Sequence, residues 1–147
     1  MKIISAKDYQ ALSRAAANII SAQVILKPSC VLGLATGSSP VGTYQQLIEW
    51  YKKGDLDFSQ VRTVNLDEYV GLDAAHPAGF RNYLKRTVFD RLPLGSVNLI
   101  NGNAEDPEEE ARRYGQLLIE HPADICLLGV GENGHLAFND PPVADFN

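Results

Sequence analysis

Three stretches of the chain carry groups able to move a proton or hold an anion. The first, DICLLGVGENGHLAFNDPP over residues 124–142, is an apolar run that stops at glycines and is followed by Glu132, Asn133, His135, Asn139 and Asp140. A histidine flanked by an amide and a carboxylate can donate and accept protons near neutrality, with its tautomer set by a neighbour. A turn carrying a solvated histidine reads the same way from these residues alone. The second is the pair Asp67 and Glu68, which ends the run RTVNL. A carboxylate there can abstract a proton from a carbon α to a carbonyl. Alternation along a strand sends the two side chains to opposite sides, so an Asp67 that faces a ligand leaves Glu68 to a structural partner. The third is ATGSSP, residues 35–40. A glycine, hydroxyls and backbone N–H groups ahead of a helix form a concave set of donors at the positive end of a dipole, suited to phosphate. The spacing is like that of a P-loop, but Gly37 and Gly42 are followed by Thr43 rather than by Lys-Ser or Lys-Thr. Nucleoside triphosphate hydrolysis is therefore disfavoured, and the absence of G-x-G-x-x-G after the first strand disfavours a dinucleotide. A capped helix start without a ligand is the alternative.

Secondary structure must bring these stretches together. Ile125, Cys126, Leu127, Leu128 and Val130 form the pattern of a strand buried on both faces of a parallel sheet, which places the histidine stretch at its carboxyl edge. Residues 2–4 predict a first strand, and residues 8–26 a helix with Leu12, Ala16, Ile19 and Ile20 at apolar spacing. Residues 31–35 predict the next strand, and Pro40 suits the first turn of a helix through Tyr44, Leu47, Ile48 and Tyr51. Residues 62–66 predict a strand before Asp67, with Phe80, Tyr83, Leu84 and Val88 marking a helix beyond it. After a strand at 96–100, Asp106, Pro107 and Glu108 to Glu110 supply a cap, an N1 proline and acidic residues for a helix ending near His121. Strands alternating with helices imply right-handed crossovers. The expected fold class is α/β: a Rossmann-like open, mostly parallel sheet with helices on both faces. Its strand-to-helix loops, residues 36–42, 67–79 and 131–142, then surround one crevice.

Composition narrows the partners. The 147 residues, 45% apolar and 21% charged, suit a single domain over 1–147. No apolar run approaches the roughly 20 residues that span a bilayer, so no membrane partner is expected. A net charge of −5 without a basic stripe argues against nucleic acid. The start, MKIISAKDYQ, lacks a long apolar core and a small-residue cleavage site, so a cytoplasmic location is expected. Cys30 and Cys126 sit in apolar runs without metal-ligand spacing and are expected to be buried thiols.

Taken together, GLATGSSPVGTY, TVNLDEYVGL with the following HPAGF, and LLGVGENGHLAFNDP resemble, in order and spacing, the glucosamine-6-phosphate deaminase/isomerase family. The resemblance covers essentially the whole chain. 6-Phosphogluconolactonases differ at two of the blocks, being closer to DER after the third strand and GHTASLFP after the fifth. The resemblance implies a fold shared with ribose-5-phosphate isomerases and CoA transferases. It also implies conversion of glucosamine 6-phosphate and water to fructose 6-phosphate and ammonia, without a metal or organic cofactor. It makes Asp67 the base that moves a proton between C2 and C1, and His135 the acid/base that opens the sugar ring. Asn133 stands where some members have an aspartate and Asp140 where the family usually has a glutamate, positions that orient and tune the histidine. Ala35, Thr36, Gly37, Ser38, Ser39, Glu68 and Gly134 are the expected substrate-binding residues. The expected partner is a small amino-sugar phosphate, with homo-oligomerisation left open.

None of the 13 Lys and Arg residues lies in the three crevice loops, although a sugar phosphate carries up to two negative charges. The family supplies an arginine and a lysine from later in its chain, so residues 1–147 are expected to be the N-terminal portion of a longer catalytic domain. Two other functions stay open: a sugar-phosphate-sensing regulatory module, disfavoured by retention of both Asp67 and His135, and a lactonase-type hydrolase, disfavoured by the two loop motifs.

Overall fold

The computed structural model describes residues 2–139. Strands β1 (Val31–Leu34), β2 (Arg62–Asn65), β3 (Ser96–Asn98) and β4 (Ile125–Cys126) form one sheet in the order β3-β2-β1-β4. Every neighbouring pair is parallel, with Val31 opposite Arg62 and Leu32 opposite Ile125. The connecting helices are α1 (Tyr9–Leu26), α2 (Val41–Lys53), α3 (Phe80–Leu84) and α4 (Pro107–Glu120), and α3 continues as a π turn over Lys85–Phe89. This is the α/β, Rossmann-like arrangement that the alternation of elements requires.

Strand alternation divides the core. Leu32 and Leu34 point to the face covered by α1, α2 and α3, where Ala17, Ile20, Leu47, Ile48 and Leu84 are buried with them. Val31 and Val64 point to the other face and meet Tyr114 of α4. The chain steps outward from β1 to β2 to β3, and α4 then carries it back so that β4 lies on the far side of β1. The direction of winding reverses between β1 and β4, and such a reversal opens a crevice at the carboxyl ends of the strands.

Four expectations are corrected. Residues 2–4 form no strand: Ile3 is 81% exposed and the segment lies apart from the sheet, so its backbone has no ladder to join. In α1 the buried stripe is Ser13, Ala17, Ile20 and Val24, while Leu12 and Ile19 face outward. Small residues win there because α1 and α2 touch: a Cβ on Gly42 would come within 2.9 Å of Ser13 Cβ. β4 is an edge strand among the described residues, not one buried on both faces; Leu128 and Val130 are 49% and 66% exposed. For the same reason Cys126 is exposed, whereas Cys30 is buried as expected.

The end of β2 is tied by one buried knot. The Tyr114 hydroxyl accepts from Asn65 N at 2.9 Å and lies 3.0 Å from both Asn65 O and Asn65 Oδ1, to which it can donate. Burial pushes the Tyr114 phenol up to about 12, so it remains a donor. Asn65 Oδ1 also accepts from Ile100 N at 3.1 Å, which draws the chain out of the ladder after Asn98 and shortens β3 relative to the run at 96–100. Tyr114→Phe leaves the buried Asn65 N–H without this acceptor. The expected loss is about 1–3 kcal/mol of stability, read as a lower denaturant midpoint with an unchanged slope. An unchanged midpoint would show that the knot contributes nothing.

Candidate active site

The cleft opens where the winding reverses. Its volume is about 400 Å³, and it is lined by Ala35 to Ser39 after β1, by Leu66, Asp67 and Tyr69 after β2, and by Gly129 to Glu132, His135, Ala137 and Phe138 after β4. No lysine or arginine is among its lining residues. All three loops expected at one crevice are therefore brought to it.

The loop after β1 turns at Gly37, whose φ is +88°. The N–H groups of Thr36, Gly37, Ser38 and Ser39 donate to no protein acceptor among the described residues, and α2 begins behind them at Val41 without a side-chain cap. Its carbonyls, by contrast, are held. Tyr44 donates to Ala35 O at 2.7 Å and Tyr83 to Gly37 O at 2.6 Å. Tyr9 lies 3.2 Å from Ser38 O and 3.1 Å from Ser39 O, and accepts from Gly42 N at 2.9 Å. The loop thus presents unfilled donors at a helix N-terminus, the arrangement that holds an anion.

Asn65 also shapes the turn after β2, since its Nδ2 donates to Asp67 O at 2.8 Å. No described residue hydrogen-bonds or ion-pairs the Asp67 carboxylate, which faces the cleft. Burial holds this carboxyl above its ordinary range, and the adjacent Glu68 charge adds to the effect. Glu68 turns away, although β2 ends at Asn65 and both residues lie in the turn beyond it. Its Oε1 accepts from Tyr69 N at 2.9 Å and Phe80 N at 3.0 Å, and its Oε2 from Arg81 N at 2.7 Å. Expected to bind substrate, Glu68 instead caps the start of α3 and is absent from the cleft lining.

The loop after β4 folds back on itself. Gly134 N donates to Gly131 O and Gly131 N to His135 O, both at 2.9 Å, with Gly134 at φ +87°. Gly134 therefore shapes the turn and is not among the lining residues. The His135 ring lies directly over Gly131, where any Cβ would collide with it. Asn133 Oδ1 is 3.2 Å from His135 N and 2.6 Å from His135 Nδ1. A backbone N–H can only donate, so the Asn133 atom is the oxygen and Nδ1 carries a hydrogen; in the neutral ring Nε2 is then the basic nitrogen. Tyr69, Phe80 and Phe138 form an aromatic wall, with Tyr69–Phe80 centroids 4.7 Å apart and Phe138 6.1 Å from His135. Asp140 lies outside the described residues. Among those residues no cluster of three or more His, Cys, Asp or Glu is disposed to hold a metal ion.

What the sequence reading missed at this site is the backing of the anion loop by Tyr9, Tyr44 and Tyr83. No local signal marks a contact such as Tyr83 to Gly37, 46 residues apart. Asp67 generates a further expectation. Its folded pKa is above the unfolded one, so ionisation costs stability once pH rises through the folded value, and the cost vanishes below the unfolded pKa of about 3.9. Asp67→Asn is expected to raise the denaturation midpoint at pH 7, with the gain fading as pH falls toward that value. A midpoint that does not rise at pH 7 would contradict the burial of this charge.

Comparison with known proteins agrees with this geometry. Residues 6–138 match the family of glucosamine-6-phosphate isomerases/6-phosphogluconolactonase. A glucosamine-6-phosphate deaminase of Lachnoclostridium phytofermentans is 52% identical over 144 residues, covering 96% of this chain and 61% of that protein. The solved structure of a monomeric glucosamine-6-phosphate deaminase, described as a missing link of the NagB superfamily, has a TM-score of 0.91 at 42% identity, covering 98% of this chain and 61% of the other. A 6-phosphogluconolactonase from Trypanosoma brucei shares the fold, with a TM-score of 0.73 at 23% identity over 92% of this chain and 61% of that one. The chain thus spans about three fifths of the length of these relatives. With the match running through the loops after β1, β2 and β4, the chain belongs to the glucosamine-6-phosphate isomerase/6-phosphogluconolactonase family.

Proposed function

We propose that this protein is a glucosamine-6-phosphate deaminase, converting glucosamine 6-phosphate and water to fructose 6-phosphate and ammonia in amino-sugar catabolism. The observation that carries this reading is the meeting of Asp67, His135 and the anion loop in one cleft. The phosphate is held by the Thr36 to Ser39 amides. His135, held at Nδ1 by Asn133, uses Nε2 to move the proton that opens the pyranose ring. Asp67 takes the proton from C2 of the open aldehyde and returns it to C1, leaving an imine at C2 that water hydrolyses to the ketone with release of ammonia. An Asp67 carboxyl poised above its ordinary range is a better base than a fully solvated one. Asn133 sets an amide oxygen, not a carboxylate, against His135 Nδ1, and Asp140 is assigned to orienting the same ring.

The relatives favour this reading over a lactonase. Glucosamine-6-phosphate deaminases such as those of Lachnoclostridium phytofermentans and Clostridium acetobutylicum are 52% and 42% identical to the chain, whereas the Trypanosoma brucei lactonase is 23% identical. No lysine or arginine lines the cleft among the described residues, which supports assigning residues 1–147 to the N-terminal portion of a longer catalytic domain whose remainder neutralises the phosphate.

In the full-length protein, Asp67→Asn is expected to lower ammonia release about 10²- to 10⁴-fold and to abolish deuterium incorporation at C2, followed by NMR in heavy water. Binding of the sugar phosphate should persist. His135→Gln should depress turnover most when the substrate is supplied as the closed ring. Undiminished C2 exchange in the first variant, or a full rate in the second, removes that residue from the mechanism.

A further inference from the structure

The anion loop is backed by three hydroxyl groups from three helices: Tyr44 of α2 donates to Ala35 O, Tyr83 of α3 to Gly37 O, and Tyr9 of α1 shares its one hydrogen between Ser38 O and Ser39 O, at 3.2 and 3.1 Å. A trans peptide is planar, so its C=O and N–H point in opposite directions. Fixing the Ala35 carbonyl therefore fixes the Thr36 N–H, fixing Gly37 O fixes the Ser38 N–H, and fixing Ser38 O fixes the Ser39 N–H. None of the three tyrosines lines the cleft, whereas all the residues whose carbonyls they hold do. Their hydroxyls thus approach the loop from behind, and the paired N–H groups are aimed at the cleft.

We propose that Tyr9, Tyr44 and Tyr83 are positioning residues that orient the anion-binding backbone one peptide at a time, so that the loop meets an anion with its dipoles already aligned. The proposal rests on the reading of this loop as a phosphate site, not on the deaminase chemistry. Alignment matters because no cation lines the cleft among the described residues: what this part of the chain contributes to affinity comes from amide donors, and a peptide free to flip would present its carbonyl oxygen to the anion. Burial keeps the Tyr44 and Tyr83 phenols protonated and able to donate. Tyr83 adds a further link. It stands on α3, whose first N–H groups are bound by Glu68 next to Asp67, so one short helix sets both the anion loop and the turn that carries the base. The separation between a bound phosphate and Asp67 is thereby fixed through α3.

The test is a titration of the full-length protein with inorganic phosphate, followed by the backbone amide resonances of Thr36, Ser38 and Ser39. In the wild type all three are expected to shift saturably. Tyr83→Phe should weaken phosphate binding about tenfold or more and remove the Ser38 response while leaving that of Thr36, since a hydrogen bond to a charged group is at stake. Tyr9→Phe should do the same for Ser39, and because the Tyr9 ring is 51% exposed its loss leaves the core intact. If Tyr83→Phe does not fold, Tyr9→Phe decides. Wild-type affinity and shifts in the variants overturn the proposal, as does an equal loss of all three responses in each. Ammonia release is measured separately: a protein that binds phosphate through these amides and releases no ammonia contradicts the proposed activity and leaves the positioning role standing.

Discussion

With no lysine or arginine lining the cleft among the described residues, what the loop after β1 can offer an anion depends on where its peptide dipoles point. That constraint organises the rest of the structure. A peptide N–H carries only a partial charge, and the N-terminus of a whole helix is equivalent to about half a unit, so a misdirected amide is a large fraction of the available attraction. The three helices on one face of the sheet each send a hydroxyl to the back of the loop after β1, and the small residues Ser13 and Gly42 bring α1 close enough for Tyr9 to take part. The packing of α1 against α2 in this way helps to shape the loop, although neither Ser13 nor Gly42 lines the cleft.

The loop after β2 shows a second division of labour. Asp67 is held by its backbone, through Asn65, and its carboxylate is left unengaged by the described residues, while Glu68 is engaged by three backbone N–H groups. A carboxylate that is to act as a base, the role proposed for Asp67, must avoid strong donors, because each would stabilise its charge and weaken it as a base. Asn65 and Tyr114, buried beneath, provide rigidity without touching the reactive atoms.

How much of this was legible depended on the range of the interaction. The start of α4 was readable because its signals are local: Asp106 accepts from Glu108 N and Glu109 N at 2.9 and 3.1 Å, with Pro107 at the first position. The opposite facing of Asp67 and Glu68 matched the expectation, but β2 ends at Asn65 and the turn beyond it, not strand alternation, sets their directions; the meeting of three loops was readable from the sheet's parallel order. The buried stripe of α1 was misread because Leu12 and Ile19 are more apolar than Ser13 and Ala17, yet side-chain size at the α2 contact decided the matter. Cys126 was misread because composition does not tell a central strand from one that, among the described residues, stands at the edge. The tyrosine backing was invisible, since each contact that defines it joins residues with no sequence relation.

The position of β4 has a consequence for the order of assembly. Val31 meets its partner in β2 across about thirty residues, but it meets Asp124, at the entrance to β4, across 93. Closing the longer span costs about 1 kcal/mol more in chain entropy, and β4 offers only two residues of ladder in return. The Lys27–Asp124 ion pair and the Val31 N to Asp124 bond, at 2.8 and 2.9 Å, act as the latch. The anion loop and Asp67 thus belong to the part of the sheet that closes early, and the histidine joins them last. Local opening that begins at β4 would withdraw His135 first and leave the loop after β1 folded behind it.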